Sequence, residues 1–235
     1  MQTTSSLKYS TLARGPMKKA KPEQGWTTRY WNAFRYHAHQ LIAWGYEDAY
    51  PELVQCWEET DITGCISEAI DARLEAPRRP PWCDHYDIRE ESPVPSKTLR
   101  GKRRKRTDIT IVCTKGKRAK FIFEAKPLRP HSSYREALYV GPDGLQRFLR
   151  GEYAERYQEA GMLGYVQCES IEGWKTRIVR VIQDDAVSQN MLGLLKPQCD
   201  VSVIPEFSNE WTSSHVRVSG KPITIFHILL DVRPK

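Results

Sequence analysis

Apolar positions fall at helical spacing from Trp26 onward. In TTRYWNAFRYHAHQLIAWGY, Tyr30, Phe34, His37, Leu41 and Trp44 recur every three or four residues, with Thr27 or Thr28 placed to cap the helix. Tyr36, His37 and His39 read there as packing residues rather than catalysts. A second helix is predicted in EETDITGCISEAIDARLEAP, where Ile62, Ile66, Ile70 and Leu74 form one stripe and Pro77 stops the run. After PRRPP, the segment WCDHYDIREESPV alternates loosely as a first strand that Pro93 and Pro95 end.

Two more apolar runs then flank TKGKR, the turn around Gly116, and read as a hairpin. Side chains alternate across a strand, so Asp108, Thr110 and Val112 share one face in the first run. In the second, Phe121, Phe123 and Ala125 share a face and leave Ile122, Glu124 and Lys126 on the other. Antiparallel pairing brings the start of the first strand to the end of the second, so Asp108 meets Glu124 or Lys126. A simple Asp108–Lys126 salt bridge with Glu124 solvated is one reading, and it leaves a carboxylate unexplained. Two converging carboxylates repel unless a cation lies between them, and hard oxygen ligands suit Mg²⁺ or Mn²⁺.

Downstream, GPDGLQRFLRGEYAERYQEAGMLGYVQC reads as a helix carrying Leu145, Phe148 and Leu149, a break near Gly151, a second short helix and the strand LGYVQC. WKTRIVRVIQ and ITIFHILLDV read as further strands, with His227 a satisfied core residue of the second and His215 undecided.

Charge sharpens this picture. The 36 Lys and Arg against 29 Asp and Glu give a net charge of +7, which favours a polyanionic partner. The excess is concentrated in KTLRGKRRKRT, seven Lys or Arg in eleven positions directly before Asp108. Lys102, Arg103, Arg104 and Lys105 are candidate phosphate contacts, against a solvated basic loop. Arg147 and Arg150 are further candidate phosphate contacts, with Tyr153 given to the core.

The 40% hydrophobic and 28% charged residues are those of a folded globular protein. The six cysteines form no CxxC pair, so zinc modules and small disulfide frameworks are not expected. Without a signal-peptide core or a span-length apolar run, the expectation is a cytoplasmic protein with no membrane association. Residues 1–25 are read as a flexible basic arm and 26–235 as a single domain.

The order Asp108, then Glu124-Ala125-Lys126, resembles the signature of the PD-(D/E)XK, or restriction-endonuclease-like, nucleases. Glu124-Ala125-Lys126 is the chain's one carboxylate-x-lysine, and it ends a strongly apolar strand. Thr107 stands where the family's proline usually precedes the aspartate, and the helical Q-x-x-x-Y of some branches is absent, although Gln146 or Gln158 could approach the site. The resemblance covers about Glu59 to Cys168. It implies an α/β fold with a restriction-endonuclease-like core, a central mixed β-sheet flanked by helices, here with an extra N-terminal helix and C-terminal strands.

It also implies that Asp108 and Glu124 bind Mg²⁺ or Mn²⁺, that Ala125 lends its carbonyl, and that Lys126 orients or activates the attacking water. Glu59 shares the Ile62, Ile66 and Ile70 face and is the preferred helix carboxylate, with Glu58, Asp61 and Glu68 as alternatives. The expected activity is Mg²⁺-dependent endonucleolytic hydrolysis of DNA, with RNA left open, and a place in a bacterial or phage defence complex with a partner protein or in a homo-oligomer. The alternatives are an inactive nuclease-fold subunit that binds nucleic acid, and a basic structural protein in which Asp108 and Lys126 pair.

Overall fold

The computed structural model describes residues 28–53, 58–94, 100–116, 118–129, 135–188 and 190–234. The expected basic arm, the alternative cap Thr27, Pro95 and the start of the basic run at Lys97 lie outside these residues. Among those described, no helix is long and apolar enough to cross a membrane.

Two helices open the fold: α1 (Thr28–Leu53) and α2 (Glu59–Glu75). Ile62, Ile66, Ile70 and Leu74 are all buried, as their spacing predicts. The helices cross so closely that a Cβ on Gly45 would meet Ile70 Cγ1 at 2.5 Å and the Ile66 carbonyl at 2.8 Å, so only glycine fits there. A short 3-10 turn over Pro81–His85 leads into β1 (Tyr86–Pro93), shorter than the strand the sequence suggested. Next come β2 (Arg106–Cys113) and β3 (Lys120–Leu128), whose turn holds Gly116 at φ 73° and Arg118 at φ 55°.

Short helices α3 (Arg135–Val140) and α4 (Leu145–Leu149) follow, then β4 (Glu159–Val166), α5 (Ile171–Ser188), β5 (Leu194–Asp200), β6 (Trp211–Val216) and β7 (Pro222–Asp231). The strands make one mixed seven-stranded sheet in the order β1-β2-β3-β4-β7-β6-β5. β3, β4 and β7 run parallel at its centre, and the outer neighbours are antiparallel.

Helices cover both faces. Ile109, Ile111, Phe121, Phe123 and Ala125 pack with α1 and α2, while Ile122, Leu128, Ala160 and Met162 pack with α3, α4 and α5. The alternation read from β2 and β3 therefore holds, and burial on both faces explains why the central strands are continuously apolar.

Three segments differ from the sequence reading. WKTRIVRVIQ is the middle of α5, not a strand: Trp174, Ile178 and Ile182 repeat every four residues and are the buried ones. Ser170 Oγ accepts the Gly173 N–H at 3.0 Å, a helix start that the β-branched run masked. Residues 151–158 form turns rather than a second short helix, because Gly151 (φ 72°) and Ala154 (φ 50°) take left-handed backbone. β4 begins at Glu159, four residues before the predicted LGYVQC, since its glycines also pair within the sheet.

His227 is a core residue, as expected, in a buried polar chain. Its ring nitrogens lie 3.1 Å from the Tyr139 hydroxyl and 2.7 Å from Ser213 Oγ, which also lies 2.7 Å from His215 Nε2. Burial first, and His215 second, hold the His227 pKa well below 6.5. The folded ring stays neutral where the unfolded one gains a proton, so this contribution is present above pH 6.5 and is lost as pH falls below it. The expected loss is at most about 1.4 kcal/mol per pH unit. Denaturant midpoints between pH 7.5 and 5 should fall more steeply for wild type than for His227→Gln, and equal slopes would place the acid sensitivity elsewhere.

Candidate functional site: a fork in the sheet

The β2–β3 ladder runs from Val112↔Lys120 to Ile109↔Phe123 and stops. One further step in that register would face Asp108 with Glu124. Beyond Ile109, β2 stays with β1 through Ser92↔Thr107 and Pro93↔Arg106, while β3 stays with β4 through Glu124↔Met162 and Lys126↔Gly164. The sheet forks there, and the charged residues of the hairpin line the fork. Asp108 Oδ2 accepts the Ala125 N–H at 2.6 Å, so a side chain takes over where the backbone ladder ends.

Glu124 is fully buried and Lys126 is 5% exposed. Lys126 Nζ donates to Glu59 Oε1 at 2.9 Å and to the Ala125 carbonyl, and lies 3.0 Å from Glu124 Oε1 and 4.0 Å from Asp108 Oδ2. Glu59, in the first turn of α2, thus reaches past the core to the strand end, as its helical phase predicts. Glu68 is exposed and acts on Glu90 of β1, while Glu58 lies 3.7 Å from Arg129 and Asp61 is exposed.

Arg147 approaches from α4. Its Nη1 donates to Glu124 Oε1 at 3.1 Å and to the Tyr153 hydroxyl, and its Nη2 donates to Asp143 Oδ1 at 2.9 Å. Tyr153 is buried, as expected, and its hydroxyl donates to the Arg106 carbonyl at the lip of the fork. The sequence reading missed Asp143 and Tyr153 at this point; the four-residue spacing of Asp143 from Arg147 could have signalled the first, and no spacing signals the second.

The electrostatics follow from crowding. Three carboxylates (Asp108, Glu124, Glu59) surround two cations (Lys126, Arg147), −3 + 2, a formal charge of −1 in a partly dry site. Burial, then the Asp108 charge, push the Glu124 pKa up to about 8 against the pull of Lys126 and Arg147. Burial likewise raises Glu59, with Lys126 opposing. Burial alone would lower Lys126, but Glu124, Asp108 and Glu59 outweigh it and raise its pKa, so the amine stays an ammonium at neutral pH. Glu124 Oε2 is buried without a hydrogen-bond partner among the described residues.

The other candidates are dispersed. Lys102 and Arg103 are exposed, Arg104 is half-buried, and none of the three forms an ion pair among the described residues. Lys105 is committed to Glu152 at 2.6 Å, and Arg150 to Glu152 at 2.9 Å and to the Pro142 carbonyl. The rival reading, a plain Asp108–Lys126 bridge with Glu124 solvated, is overturned by the burial of Glu124. Gln146 is buried with both amide atoms unpartnered among the described residues.

As arranged, no group of three His, Cys, Asp or Glu side chains among the described residues closes on one ion. The donor set nevertheless fits a hard divalent cation, with one buried carboxylate oxygen unpartnered, a second carboxylate beside it and a backbone carbonyl adjacent. No protein-family model matches the chain, and no curated protein or solved structure does either.

Proposed function

We propose that this protein is a metal-dependent nuclease with a restriction-endonuclease-like core that hydrolyses DNA phosphodiester bonds. The observation that carries the reading is Glu124: a fully buried carboxylate at the sheet fork with one oxygen unpartnered. Leaving a carboxylate oxygen dry and undonated costs on the order of 1–3 kcal/mol or more, an arrangement a bound cation would relieve. The order α2, β1–β2–β3, α3–α4, β4 also follows the helix, hairpin, helix, strand sequence of that nuclease core.

In this reading Asp108, Glu124 and the Ala125 carbonyl hold Mg²⁺ or Mn²⁺, which when bound supplies Lewis-acid charge to the scissile phosphate. Lys126, which Glu124, Asp108 and Glu59 hold as an ammonium, orients water by hydrogen bonding and stabilises negative charge developing on phosphate oxygens. Arg147 holds the Glu124 carboxylate in place and is itself braced by Tyr153. The second reading, a nuclease-fold subunit that binds nucleic acid without cutting, is favoured by Glu124 Oε1 already accepting two cations.

The deciding experiment incubates plasmid, single-stranded DNA and RNA with Mg²⁺, Mn²⁺ or chelator, comparing wild type with Lys126→Ala. Cleavage that needs the metal and Lys126 supports the nuclease. Metal-independent binding without cleavage supports the second reading.

The basic run bears on substrate affinity. Replacing Lys102, Arg103, Arg104 and Lys105 with Gln should weaken DNA binding equally across sequences. It should also reduce the slope of log K against log salt by roughly 2 to 3, since three of the four have no competing ion pair among the described residues. An unchanged slope would make this run a solvated loop.

A further inference from the structure

The ammonium of Lys126 lies at the point toward which the acidic groups of the fork converge. It has Glu59 Oε1 at 2.9 Å, Glu124 Oε1 at 3.0 Å, Asp108 Oδ2 at 4.0 Å and the Ala125 carbonyl as a further acceptor. These include every group that the nuclease reading gives to the metal. The other cation, Arg147, is anchored outside them by Asp143 and Tyr153 and touches only Glu124.

We propose that Lys126 is the resident counter-cation of the site: in metal-free protein its ammonium, tied to Glu59, occupies the place beside Glu124, the Ala125 carbonyl and Asp108 that a divalent ion takes, and metal must displace it. This inference rests on the proposed metal site. Arg147 shares only Glu124 Oε1, from outside the set, whereas the ammonium and a divalent ion would compete for the same centre among these oxygens and repel strongly. The same lysine therefore lowers metal affinity before binding and, once displaced toward solvent, stands beside the phosphate. The ammonium occupies the site until a divalent ion displaces it.

A lysine acting only on the attacking water would leave metal affinity unchanged when removed, whereas a resident counter-cation would raise it. The test titrates Mn²⁺ alone, without nucleic acid, into wild type and Lys126→Met by calorimetry, with the Mn²⁺-induced rise in melting temperature as a second readout. Lys126→Met should bind Mn²⁺ at least tenfold more tightly than wild type and show the larger melting shift, while losing cleavage.

Lys126→Met leaves Glu59 and Asp108 without their ammonium and Glu124 with Arg147 alone. If it is unfolded in chelator, Lys126→Gln, whose amide keeps a donor, is titrated instead, with the same expectation. Equal or weaker Mn²⁺ binding by the folded variant overturns the proposal, and if wild type still cuts DNA the nuclease reading stands without it. Tighter binding by the variant with no cleavage by wild type under any metal supports the proposal and sinks the nuclease reading. No Mn²⁺ binding by either protein overturns both.

Discussion

Glu124→Ala is expected to lower metal-dependent cleavage by at least about 100-fold while the protein keeps its fold. Even groups that merely orient a metal ligand are worth roughly 10- to 100-fold, and Glu124 is assigned as a ligand itself. The fold survives because neither cation is orphaned: Lys126 keeps Glu59 and the Ala125 carbonyl, and Arg147 keeps Asp143 and Tyr153. Stability should depend on pH with a definite sign. Burial, then Asp108, raise the folded pKa from 4.5 to about 8, so the Glu124 contribution is full below 4.5 and is lost as pH rises through about 8. Melting temperatures in chelator should therefore favour wild type most at pH 5 and least at pH 8.5. Cleavage by Glu124→Ala at the wild-type rate would remove Glu124 from the site, and a gap that widens with pH would show that the carboxylate is charged throughout.

Much of this site was legible in the sequence because its geometry is local. Strand alternation put Glu124 and Lys126 on one face, and the hairpin turn put Asp108 at their end. Helical phase put Glu59 on the same side as Ile62 and Ile66. The fork itself was not legible, since where β2 parts from β3 depends on which neighbour each strand keeps. β1 holds Thr107 and Arg106, and β4 holds Glu124 to Leu128. No pattern within the hairpin encodes that competition.

The misread segments fail for related reasons. In RIVRVIQ the β-branched residues dominate the local impression, and only the longer spacing from Trp174 through Ile178 to Ile182 reveals a helix. The basic residues show a different gap between composition and structure. A run of positive charge reads as available for phosphate, yet Lys105 and Arg150 are held by Glu152 and Arg147 by Glu124, leaving Lys102, Arg103 and Arg104. Sequence counts charges; only packing shows which are already neutralised.

Glu59→Gln is expected to weaken Mn²⁺ binding about tenfold and to slow cleavage by roughly 10- to 100-fold, as loss of a charge that supports a metal site does. The side chain reaches the fork because α2 begins at Glu59 and runs along the sheet, which leaves its first turn over the strand ends. Glutamine keeps an oxygen that can accept from Lys126, so the variant tests charge rather than contact. The substitution removes the Glu59 charge from its ion pair with Lys126 but leaves Lys126 with Glu124 and the Ala125 carbonyl, so the melting temperature should move by a few degrees at most. Glu68→Gln is the matched control: exposed on the same helix and nine residues from Glu59, it should change neither metal binding nor cleavage. If Glu59→Gln cuts at the wild-type rate and Glu68→Gln is dead, the Glu59–Lys126 pair only ties α2 to β3, and the carboxylate that α2 contributes is Glu68.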